Sequence, residues 1–453
     1  MMTSNVFLDE AAAILGPRGL TRDAELVSPW LTDWRGRYTG KACAMASPAS
    51  TEELAQLVKL CAAHGVPIVP QGGNSGMSGG ATPDETGNAI LLSMRRMNAI
   101  REIDVEARRV TCEAGVVLQT LHEAVEEKDL RFPLTLGGKG SATVGGLIST
   151  NAGGCQVLRH GSMRALVLGL EAVLPDGQVY SMLTPLKKDN RGFDLKQLLI
   201  GSEGTMGIVT AATLQLVPAL ADRVVIWAGL PSLGIARSLL LHCEDMAGDA
   251  LEGFEVMPQA CLDAVLTHLP AARAPLEGKH AWHVLIAEAF DKDLVDDAVL
   301  STSETQAEAF WLLRESVAPA ERERGPAVQH DISVPVEKMP DFVETTAPML
   351  EAEWPGTEAV AFGHLGDGNV HYHIIAPTVT DGLAWQKNEG KAISRRVHDL
   401  VTEWGGSISA EHGIGQVKRD ELARLGDPVA LSMLRAVKNA LDPQGLLNPG
   451  KLV

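Results

Sequence analysis

The chain has 453 residues, of which 45% are hydrophobic and 21% are charged, so its composition is that of an ordinary globular protein with room for two or three domains. Its formal net charge of −18 argues against binding to nucleic acid, because the phosphate backbone would meet a repulsive field. An anionic substrate would therefore have to be attracted by a local basic group.

Cysteine usage and hydropathy suggest the compartment. The cysteines are scattered without a CxxC pair, which predicts buried thiols rather than a secreted disulfide framework. Residues 1–16 contain a short apolar run, but Asp9 and Glu10 interrupt it and it has no basic start, unlike a secretory signal. No apolar stretch approaches the roughly 20 residues that span a bilayer. We therefore expect a cytoplasmic protein, with loose attachment to a membrane surface left open. The cysteines are Cys43, Cys61, Cys112, Cys155, Cys243 and Cys261.

The first elements are a helix, a strand and a glycine loop. Ser50 and Glu53 have capping-box spacing, the apolar residues that follow share one helical face, and Gly65 ends the predicted helix. Residues 66–70 read as an edge strand, because their prolines cannot serve a central ladder. A loop with five glycines occupies residues 71–80, and a strand is predicted at about 89–93 with no helix between them.

Further along, residues 166–174 and 178–183 form a predicted hairpin around Pro175-Asp176-Gly177. A short helix capped by Asp194 is predicted over 195–200, then a glycine segment at 201–207 and a strand to Val217. We place the first domain boundary near Pro218. Beyond it, strands such as 283–289 alternate with helices such as 232–246, which predicts an α+β second domain.

Three glycine-rich segments lie in the first part of the chain, at 71–80, at 137–154 and at 201–207. Glycine lets the backbone approach a ligand closely, and successive N–H groups can form a nest for a pyrophosphate. One such loop would be read as a flexible surface loop. The dinucleotide fingerprint G-x-G-x-x-G between a strand and a helix is not present. The phosphate-loop motif G-x-x-x-x-G-K-[ST] is not present either, since Gly138-Lys139 is followed by Gly140 and not by Ser or Thr. Three such segments favour one extended ligand.

Residues 359–375 read as strand, turn and strand, with Asp367-Gly368 at the turn. His364 ends the first arm, and a hairpin can bring it against His371, which shares a strand face with His373. A carboxylate candidate, Glu411, lies beside His412 in the glycine-punctuated loop 407–415. A lone histidine is usually a satisfied polar group, but His364, His371, His373 and His412 fall within 49 positions, which favours a metal or catalytic site.

The three glycine segments resemble the FAD-binding signatures of the vanillyl-alcohol oxidase/p-cresol methylhydroxylase (PCMH) family, and within it the D-lactate and D-2-hydroxyglutarate dehydrogenase branch. The resemblance implies an α+β fold with a PCMH-type FAD-binding domain (1–218), a substrate or cap domain of the FAD-linked oxidase C-terminal type (219–405) and a C-terminal segment that completes the active site (406–453). Because neither of the first two segments contains histidine, non-covalent FAD is favoured. The residues that would contact FAD are Pro70, Gly72, Gly73, Asn74, Ser75, Gly76, Ser141, Gly145, Asn151, Gly154, Glu203, Gly204, Gly207, Ile208 and Asn448.

In the branch that this chain resembles, the segments GHxGDGNxH and SAEHG supply the metal ligands and the base. The resemblance therefore implies that His364, His371 and Glu411 bind a divalent metal and that His412 is the general base. The donor set fits Zn²⁺, which we favour, as well as Mn²⁺ or Fe²⁺. His373 stands where a substrate-contacting residue, often Asn, is expected, so an altered pocket or a fourth ligand is open. The implied reaction is oxidation of a D-2-hydroxy acid to the 2-oxo acid with hydride transfer to FAD.

Substrate recognition depends on Arg314, which interrupts an apolar helical run. Its guanidinium could bind a carboxylate or pair with a neighbour on its helix, and the resemblance favours substrate. Hydroxyglutarate-type members are expected to carry Lys where this chain has Gln329, and a hydroxyl where it has Ala318. The sequence therefore predicts a monocarboxylate such as D-lactate, with D-2-hydroxyglutarate as the alternative.

Two readings compete with a flavin dehydrogenase. The histidines and Glu411 could form a hydrolytic zinc site without flavin, or the protein could store flavin or shuttle electrons without a substrate of its own. As a dehydrogenase it would need an electron acceptor, such as an electron-transfer flavoprotein or a quinone. A homodimer is also possible.

Overall fold

The computed structural model describes residues 5–186, 188–220, 223–287, 297–378 and 381–453. The chain forms two compact units. Unit 1 contains residues 1–154, 161–219 and 411–453, and unit 2 contains residues 155–160 and 220–410. The sequence-based division at residues 218 and 405 remains a prediction of domain boundaries.

Helices and strands are mixed in both units, so the α+β class is confirmed. The strands are β1 (Leu20–Thr21), β2 (Ala44–Ala46), β3 (Ile68–Gln71), β4 (Ile90–Ser93), β5 (Ile100–Asp104), β6 (Arg109–Glu113), β7 (Leu130–Arg131), β8 (Val167–Val173), β9 (Val179–Met182), β10 (Ile208–Gln215), β11 (Val217–Pro218), β12 (Val225–Leu230), β13 (Gly253–Pro258), β14 (Trp282–Ala287), β15 (Asp297–Leu300), β16 (Ala327–Ser333), β17 (Glu358–His364) and β18 (Asn369–Ile375). The α-helices are α1 (Asn5–Leu15), α2 (Ala24–Val27), α3 (Thr51–His64), α4 (Leu118–Glu126), α5 (Val144–Thr150), α6 (Val157–His160), α7 (Met163–Leu166), α8 (Leu233–Ala247), α9 (Gln259–His268), α10 (Glu304–Glu315), α11 (Val317–Glu323), α12 (Met339–Glu353), α13 (Gly382–Glu403), α14 (Arg419–Leu425) and α15 (Pro428–Leu441).

Helix α3 begins and ends as its sequence predicts. The Ser50 hydroxyl accepts a hydrogen bond from the Glu53 amide (3.2 Å), and the Glu53 carboxylate accepts one from the Ala49 amide (2.8 Å). Gly65 ends the helix in the left-handed conformation at φ 64°. The capping-box prediction is therefore confirmed, with the return bond reaching one residue further back than the motif requires.

Unit 1 contains a four-stranded sheet of order β1-β2-β4-β3, in which β3 and β4 are parallel. The predicted edge strand is confirmed, although it covers Ile68–Gln71 rather than 66–70. The C-terminal segment borders it, because the Ile68 amide donates to Leu446 O and the Asn448 amide donates to Ile68 O, both at 2.8 Å. The first glycine segment follows β3 directly, so that sheet edge and loop are held together.

A second sheet of unit 1 is antiparallel, with order β5-β6-β10-β8-β9, and contains the predicted hairpin β8–β9. The helix predicted over 195–200 is a 3₁₀ turn over Leu195–Leu198, with Asp194 at its N-cap as predicted but without a capping hydrogen bond to its side chain. The Asp194 carboxylate instead accepts from Lys196 Nζ and from Gln197 Nε2.

Unit 2 has a seven-stranded antiparallel sheet of order β15-β12-β14-β13-β17-β18-β16. Helices α8, α12 and α13 pack on one face, and α9, α10 and α11 pack on the other. The predicted helix 232–246 is α8, which Ser232 caps by accepting from the Ile235 amide at 3.3 Å. The predicted strand 283–289 corresponds to β14, and residues 288 and 289 lie outside the described residues.

Two expectations about the cysteines have different outcomes. None of the six forms a disulfide, but Cys43 and Cys155 are only partly buried, so the prediction of burial is wrong for these two. Burial raises the pKa of Cys112 to about 12 and that of Cys243 to about 11, which keeps these thiols protonated and unreactive at neutral pH. Among the described helices, none is long and apolar enough to cross a bilayer.

Candidate active site

Unit 1 contains a cavity of about 950 Å³ where the three glycine segments meet. Residues from every segment and one residue of the C-terminal part of the chain line it. Because separate segments of the chain line it, the cavity suits an extended ligand. The predicted site residues on its wall are Pro70, Gly72, Gly73, Asn74, Ser75, Gly76, Gly145, Glu203, Gly204, Ile208 and His412.

Five other predicted cofactor residues do not line the cavity. The Asn151 side chain accepts from the Ser162 hydroxyl and from the Arg164 amide, and ends helix α5 at φ 50°. Asn448 Nδ2 donates to the carbonyls of Gly80 (2.9 Å) and Glu203 (2.7 Å), which joins two of the glycine segments. The remaining three are Ser141, Gly154 and Gly207: Ser141 packs against Gly73 of the wall, Gly154 against Thr135 and Gly207 against Leu199.

The glycine segments are also packed against each other, which the sequence did not predict. A Cβ at Gly73 would lie 1.7 Å from Ser141 O, and one at Gly145 would lie 2.6 Å from the Ala114 Cβ. At these two positions glycine is required by contact with the protein itself. The second segment is in addition partly helical, since α5 begins after Thr143.

Thr143 provides a test of whether the cavity suits a bound cofactor. It lines the cavity and is 3% exposed, and its hydroxyl has no hydrogen-bond partner within the described ranges. A buried hydroxyl left in this state costs about 1–3 kcal/mol, which a polar ligand would offset. The glycine cradle and this hydroxyl therefore fit FAD.

Sequence reasoning missed part of the wall. Ser149 and Thr150 line the cavity within the second glycine segment, so their polarity was an available signal. Met94 and Ala114 line it from outside the motifs, and nothing in the sequence distinguishes them from core residues. The other missed residues are Gln71, Ser78, Gly80, Ala81, Ala142, Thr143, Gly146, Leu147 and Val209.

His412 reaches the cavity on a loop that unit 1 holds at several points. The Ser78 hydroxyl lies 3.0 Å from the carbonyls of His412 and Gly413, to which it can donate. The Glu203 carboxylate accepts from the amides of Ile414 and Gly415, each at 2.7 Å. The backbone that carries His412 is therefore fixed by side chains from two glycine segments.

Glu203 is a buried carboxylate in an unusual backbone conformation. It is 9% exposed and has φ 54°. Burial raises its pKa, although its hydrogen bonds from the Ile414 and Gly415 amides and the nearby Lys418 act in the opposite direction. The resemblance predicted a cofactor contact for Glu203. Its carboxylate oxygens accept hydrogen bonds from the loop that carries His412.

In unit 2, the predicted hairpin β17–β18 is confirmed, and His364, His371 and His373 lie on the same face of the sheet. The register pairs His371 with Phe362 and His364 with Asn369, so the two proposed ligands are diagonal neighbours rather than a directly opposed pair. Their ring centroids are 5.8 Å apart, and each offers a nitrogen within 4.8 Å of one on the other ring. A single cation can bridge this separation.

A buried carboxylate that the sequence analysis did not single out lies beside His364. Glu255 on β13 is opposite His364, is 0% exposed, and accepts from His364 Nδ1 at 2.5 Å. It also accepts from Arg314 Nε and Nη2, each at 2.8 Å. Burial alone would raise the pKa of Glu255, but Arg314 and His364 outweigh it and lower the pKa. The sequence did contain a signal for this residue, because an acidic side chain interrupts the otherwise apolar run 254–257.

Phe362 lies at the centre of this face. Its ring centroid is 5.1 Å from that of His371 and 5.2 Å from that of His373, and the Arg314 guanidinium carbon lies 5.5 Å from it. The face therefore combines a cation, two imidazoles and an apolar ring. His373 is buried and pairs in register with Gln329 on β16.

The residues present fit a divalent metal. An ionised carboxylate only accepts, so the His364–Glu255 bond requires a proton on Nδ1 and puts the lone pair on Nε2. This arrangement is typical of metal-binding histidines. The third predicted ligand, Glu411, follows Ala410 in the chain, and the Ala410 amide donates to Asp331 O at 3.4 Å.

Comparisons with known proteins agree with this combination of features. Residues 42–182 match a family model described as an FAD binding domain, and residues 222–452 match one described as FAD linked oxidases, C-terminal domain. D-2-hydroxyglutarate dehydrogenase, mitochondrial, from Danio rerio is 37% identical, covering 97% of this chain and 83% of its own. D-2-hydroxyglutarate dehydrogenase from Xanthomonas citri pv. viticola is 34% identical, covering 100% and 97%.

A solved structure of p-cresol methylhydroxylase with substrate bound has a TM-score of 0.76 over 99% of this chain and 96% of its own, at 18% identity, which shows the fold. The chain belongs to the FAD-linked oxidase family with a PCMH-type fold. Within that family it is an FAD-dependent D-2-hydroxyacid dehydrogenase.

The family assignment also corrects the sequence-based expectations. The flavin-free hydrolase is wrong, because the chain is a flavin-dependent dehydrogenase. The cytoplasmic localisation is contradicted by the Danio rerio relative, whose name places it in mitochondria. Cysteine spacing and hydropathy distinguish reducing from oxidising surroundings, but they do not distinguish one reducing compartment from another.

Proposed function

We propose that the chain oxidises D-2-hydroxyglutarate to the corresponding 2-oxo acid. The observation that carries this proposal is that relatives covering nearly the whole chain at 34–37% identity are named D-2-hydroxyglutarate dehydrogenase. This substrate was the alternative to D-lactate in the sequence analysis, and the relatives' names favour it over D-lactate.

The cofactors have proposed sites in the residues described above. Non-covalent FAD occupies the cavity of unit 1 and, when bound, supplies the hydride acceptor. His364, His371 and Glu411 bind a divalent cation, which we propose to be zinc and which supplies Lewis-acid polarisation of the substrate oxygens. The Glu255 contact with His364 supports a metal-binding tautomer, and Glu411 is proposed from its motif.

The side chains of the chain have three proposed roles. Arg314 binds the substrate carboxylate through its guanidinium, whose planar N–H groups match the two oxygens. His412 accepts the proton of the 2-hydroxyl group at an imidazole nitrogen, which suits a group that titrates near neutral pH. His373 contacts the substrate beside Phe362.

A monocarboxylate such as D-lactate is a second candidate, because of the residues around His373. Gln329 pairs with His373 in register, and an amide at this place supplies hydrogen bonds but no charge for a distal carboxylate. Ala318, in α11, supplies no hydroxyl. A distal carboxylate would then have to use groups other than these.

The acceptor of the electrons and the assembly are proposals taken from the sequence alone. A separate carrier, such as an electron-transfer flavoprotein or a quinone, would reoxidise the flavin. A homodimer remains a further proposal.

The test is anaerobic reduction of the bound flavin by D- and L-2-hydroxyglutarate and by D- and L-lactate. Bleaching of the visible flavin band by D-2-hydroxyglutarate at the lowest concentrations would support the proposal. Faster bleaching by D-lactate would support the second candidate. A flavin that no 2-hydroxy acid reduces would contradict both and leave the storage or shuttle hypothesis.

A further inference from the structure

Glu255 is a buried charge at the centre of unit 2. It is 0% exposed and lies within the apolar strand β13, where burial of an isolated carboxylate would cost several kcal/mol. Such a residue persists when its partners compensate for that cost. The identity of those partners shows what Glu255 does.

Each oxygen of Glu255 has a different partner. Oε1 accepts the Nδ1 proton of His364 at 2.5 Å, and Oε2 accepts from Nε and Nη2 of Arg314 at 2.8 Å. His364 is on β17, whereas Arg314 is in the last turn of α10, so these two residues belong to different elements. The carboxylate connects a strand residue and a helix residue that carry different proposed roles.

The connection fixes both neighbours. A proton on His364 Nδ1 puts the ring lone pair on Nε2, the form that ligates a cation, and fixes the ring plane. The Arg314 guanidinium is held along its Nε edge, at 5.5 Å from the Phe362 ring. A long arginine side chain otherwise loses conformational entropy when it binds a substrate.

We propose that Glu255 is a positioning residue that holds the metal ligand His364 and the carboxylate-binding Arg314 in their binding orientations together. This inference rests on the proposed function of these two residues and extends it to a residue to which no FAD or substrate contact is assigned. Loss of Glu255 should therefore weaken metal binding and substrate binding in the same variant, while the FAD cavity of unit 1 is unaffected.

The experiment is a titration of the metal-depleted, FAD-containing protein with Mn²⁺, followed by the electron paramagnetic resonance signal of the free ion. Outer partners of metal-binding histidines typically contribute about 10–100-fold in affinity, so Glu255→Gln should weaken Mn²⁺ binding by that factor. We expect the KM for D-2-hydroxyglutarate to rise at saturating Mn²⁺ as well. FAD content and the visible spectrum should match those of the unmodified protein.

Glu252→Gln is a matched control. Glu252 is also buried in unit 2 and is paired with an arginine and a histidine, since it accepts from Arg159 at 2.7 Å and lies 3.4 Å from His160 Nε2. These partners, Arg159 and His160, differ from His364 and Arg314, the partners of Glu255. A general cost of removing a buried paired carboxylate would appear in both variants, whereas the loss of Mn²⁺ affinity should appear in Glu255→Gln alone.

Glu255→Gln could fold poorly, because it leaves Arg314 buried without its counter-charge. The double variant Glu255→Gln/Arg314→Met removes both charges and should recover thermal stability, since it leaves no unpaired charge buried at this place. Its Mn²⁺ affinity should remain low, because His364 still lacks the carboxylate.

Mn²⁺ affinity and KM equal to those of the unmodified protein in well-folded Glu255→Gln would overturn the inference. So would an equal loss of Mn²⁺ affinity in Glu252→Gln. If the unmodified protein bound no Mn²⁺, then the proposed metal site would be wrong and the inference with it. Reduction of the flavin by D-2-hydroxyglutarate distinguishes that case from a failure of the proposed reaction.

Discussion

Glu203 holds the backbone beside His412, because its two carboxylate oxygens accept hydrogen bonds from the amides of Ile414 and Gly415 at 2.7 Å each. Glu203 belongs to the third glycine segment, more than 200 positions earlier in the chain. The residue proposed as the base is thus positioned by a segment that also lines the cavity through Glu203 and Gly204. This relationship connects the proposed FAD cavity and the proposed base through protein contacts.

The first prediction tests this relationship with Glu203→Ala. Removal of both acceptors should let the loop shift, and a displacement of about 1 Å can cost about 10²-fold in rate. We expect kcat to fall by about that factor with little change in KM, while FAD stays bound. Glu203→Gln, which keeps one acceptor oxygen, should be intermediate. Stopped-flow reduction of the flavin measures the rate, and an unchanged rate in Glu203→Ala would contradict the role.

The second prediction concerns His412→Ala. Loss of a base from an organised site costs roughly 10²–10⁴ in rate, so flavin reduction by the 2-hydroxy acid should slow by that factor. The Ser78 hydroxyl is bonded to the backbone carbonyl of residue 412 rather than to its ring, so the substitution leaves this contact of the loop in place. We therefore expect FAD to remain bound. Reduction by dithionite is the control and should match the unmodified protein. Wild-type turnover near pH 7 would show that another group is the base.

The sequence was informative wherever the signal is local. Capping of α3 by Ser50 and Gly65, the β8–β9 hairpin and the β17–β18 hairpin all depend on residues close together in the chain. The three glycine segments also identified a shared cavity, because their composition is unusual. These features required no knowledge of how distant parts of the chain pack.

The features that the sequence did not predict depend on pairing between distant parts of the chain. The register of β13 with β17 brings Glu255 to His364 across 109 positions, and no local pattern specifies that partner. The contact of Gly73 with Ser141 likewise became visible only when the two segments were packed together. Arg314 was predicted to bind substrate, but its buried partner on another element could not be found from its own helix.

The third prediction concerns selectivity between a diacid and a monocarboxylate. Gln329→Lys adds a cation beside His373, and charge-assisted hydrogen bonds are about twice as strong as neutral ones. The ratio of kcat/KM for D-2-hydroxyglutarate to that for D-lactate should rise, whereas Arg314→Met should lower both values. Steady-state kinetics with an artificial acceptor measures the ratio. An unchanged ratio in Gln329→Lys would show that the distal carboxylate is bound away from residue 329.

The fourth prediction is that FAD is held without a covalent bond. The first and second glycine segments contain no histidine, so acid precipitation should release the yellow cofactor into the supernatant. Thr143→Val should weaken FAD binding, because it removes the buried hydroxyl that lines the cavity and keeps the side-chain shape. Dialysis followed by absorbance measures retention. Flavin that precipitates with the chain would contradict the first part, and unchanged retention in Thr143→Val the second.

The last prediction is a pH dependence of stability that arises from His283 in unit 2. Its Nδ1 accepts the indole N–H of Trp227 at 3.1 Å, so in the neutral ring the proton is on Nε2, which donates to Gln259 Oε1 at 2.9 Å. Burial lowers the pKa of His283 from 6.5 to about 4, and His280 acts in the same direction, while Asp263 and Asp297 oppose it. A second proton on Nδ1 would face the Trp227 N–H, so the folded protein resists protonation at this ring.

Because the folded pKa lies below the unfolded one, the unfolded chain binds the proton more readily. The contribution of His283 is therefore complete above pH 6.5 and is lost as the pH falls toward 4, to a total of about 3 kcal/mol. Denaturant unfolding of unmodified protein and His283→Asn at pH 7 and pH 5 measures it, since Asn keeps an acceptor for Trp227 but does not titrate. The loss of stability between the two pH values should be about 2 kcal/mol smaller in His283→Asn. Equal losses would show that His283 is protonated as easily in the folded protein as in the unfolded chain.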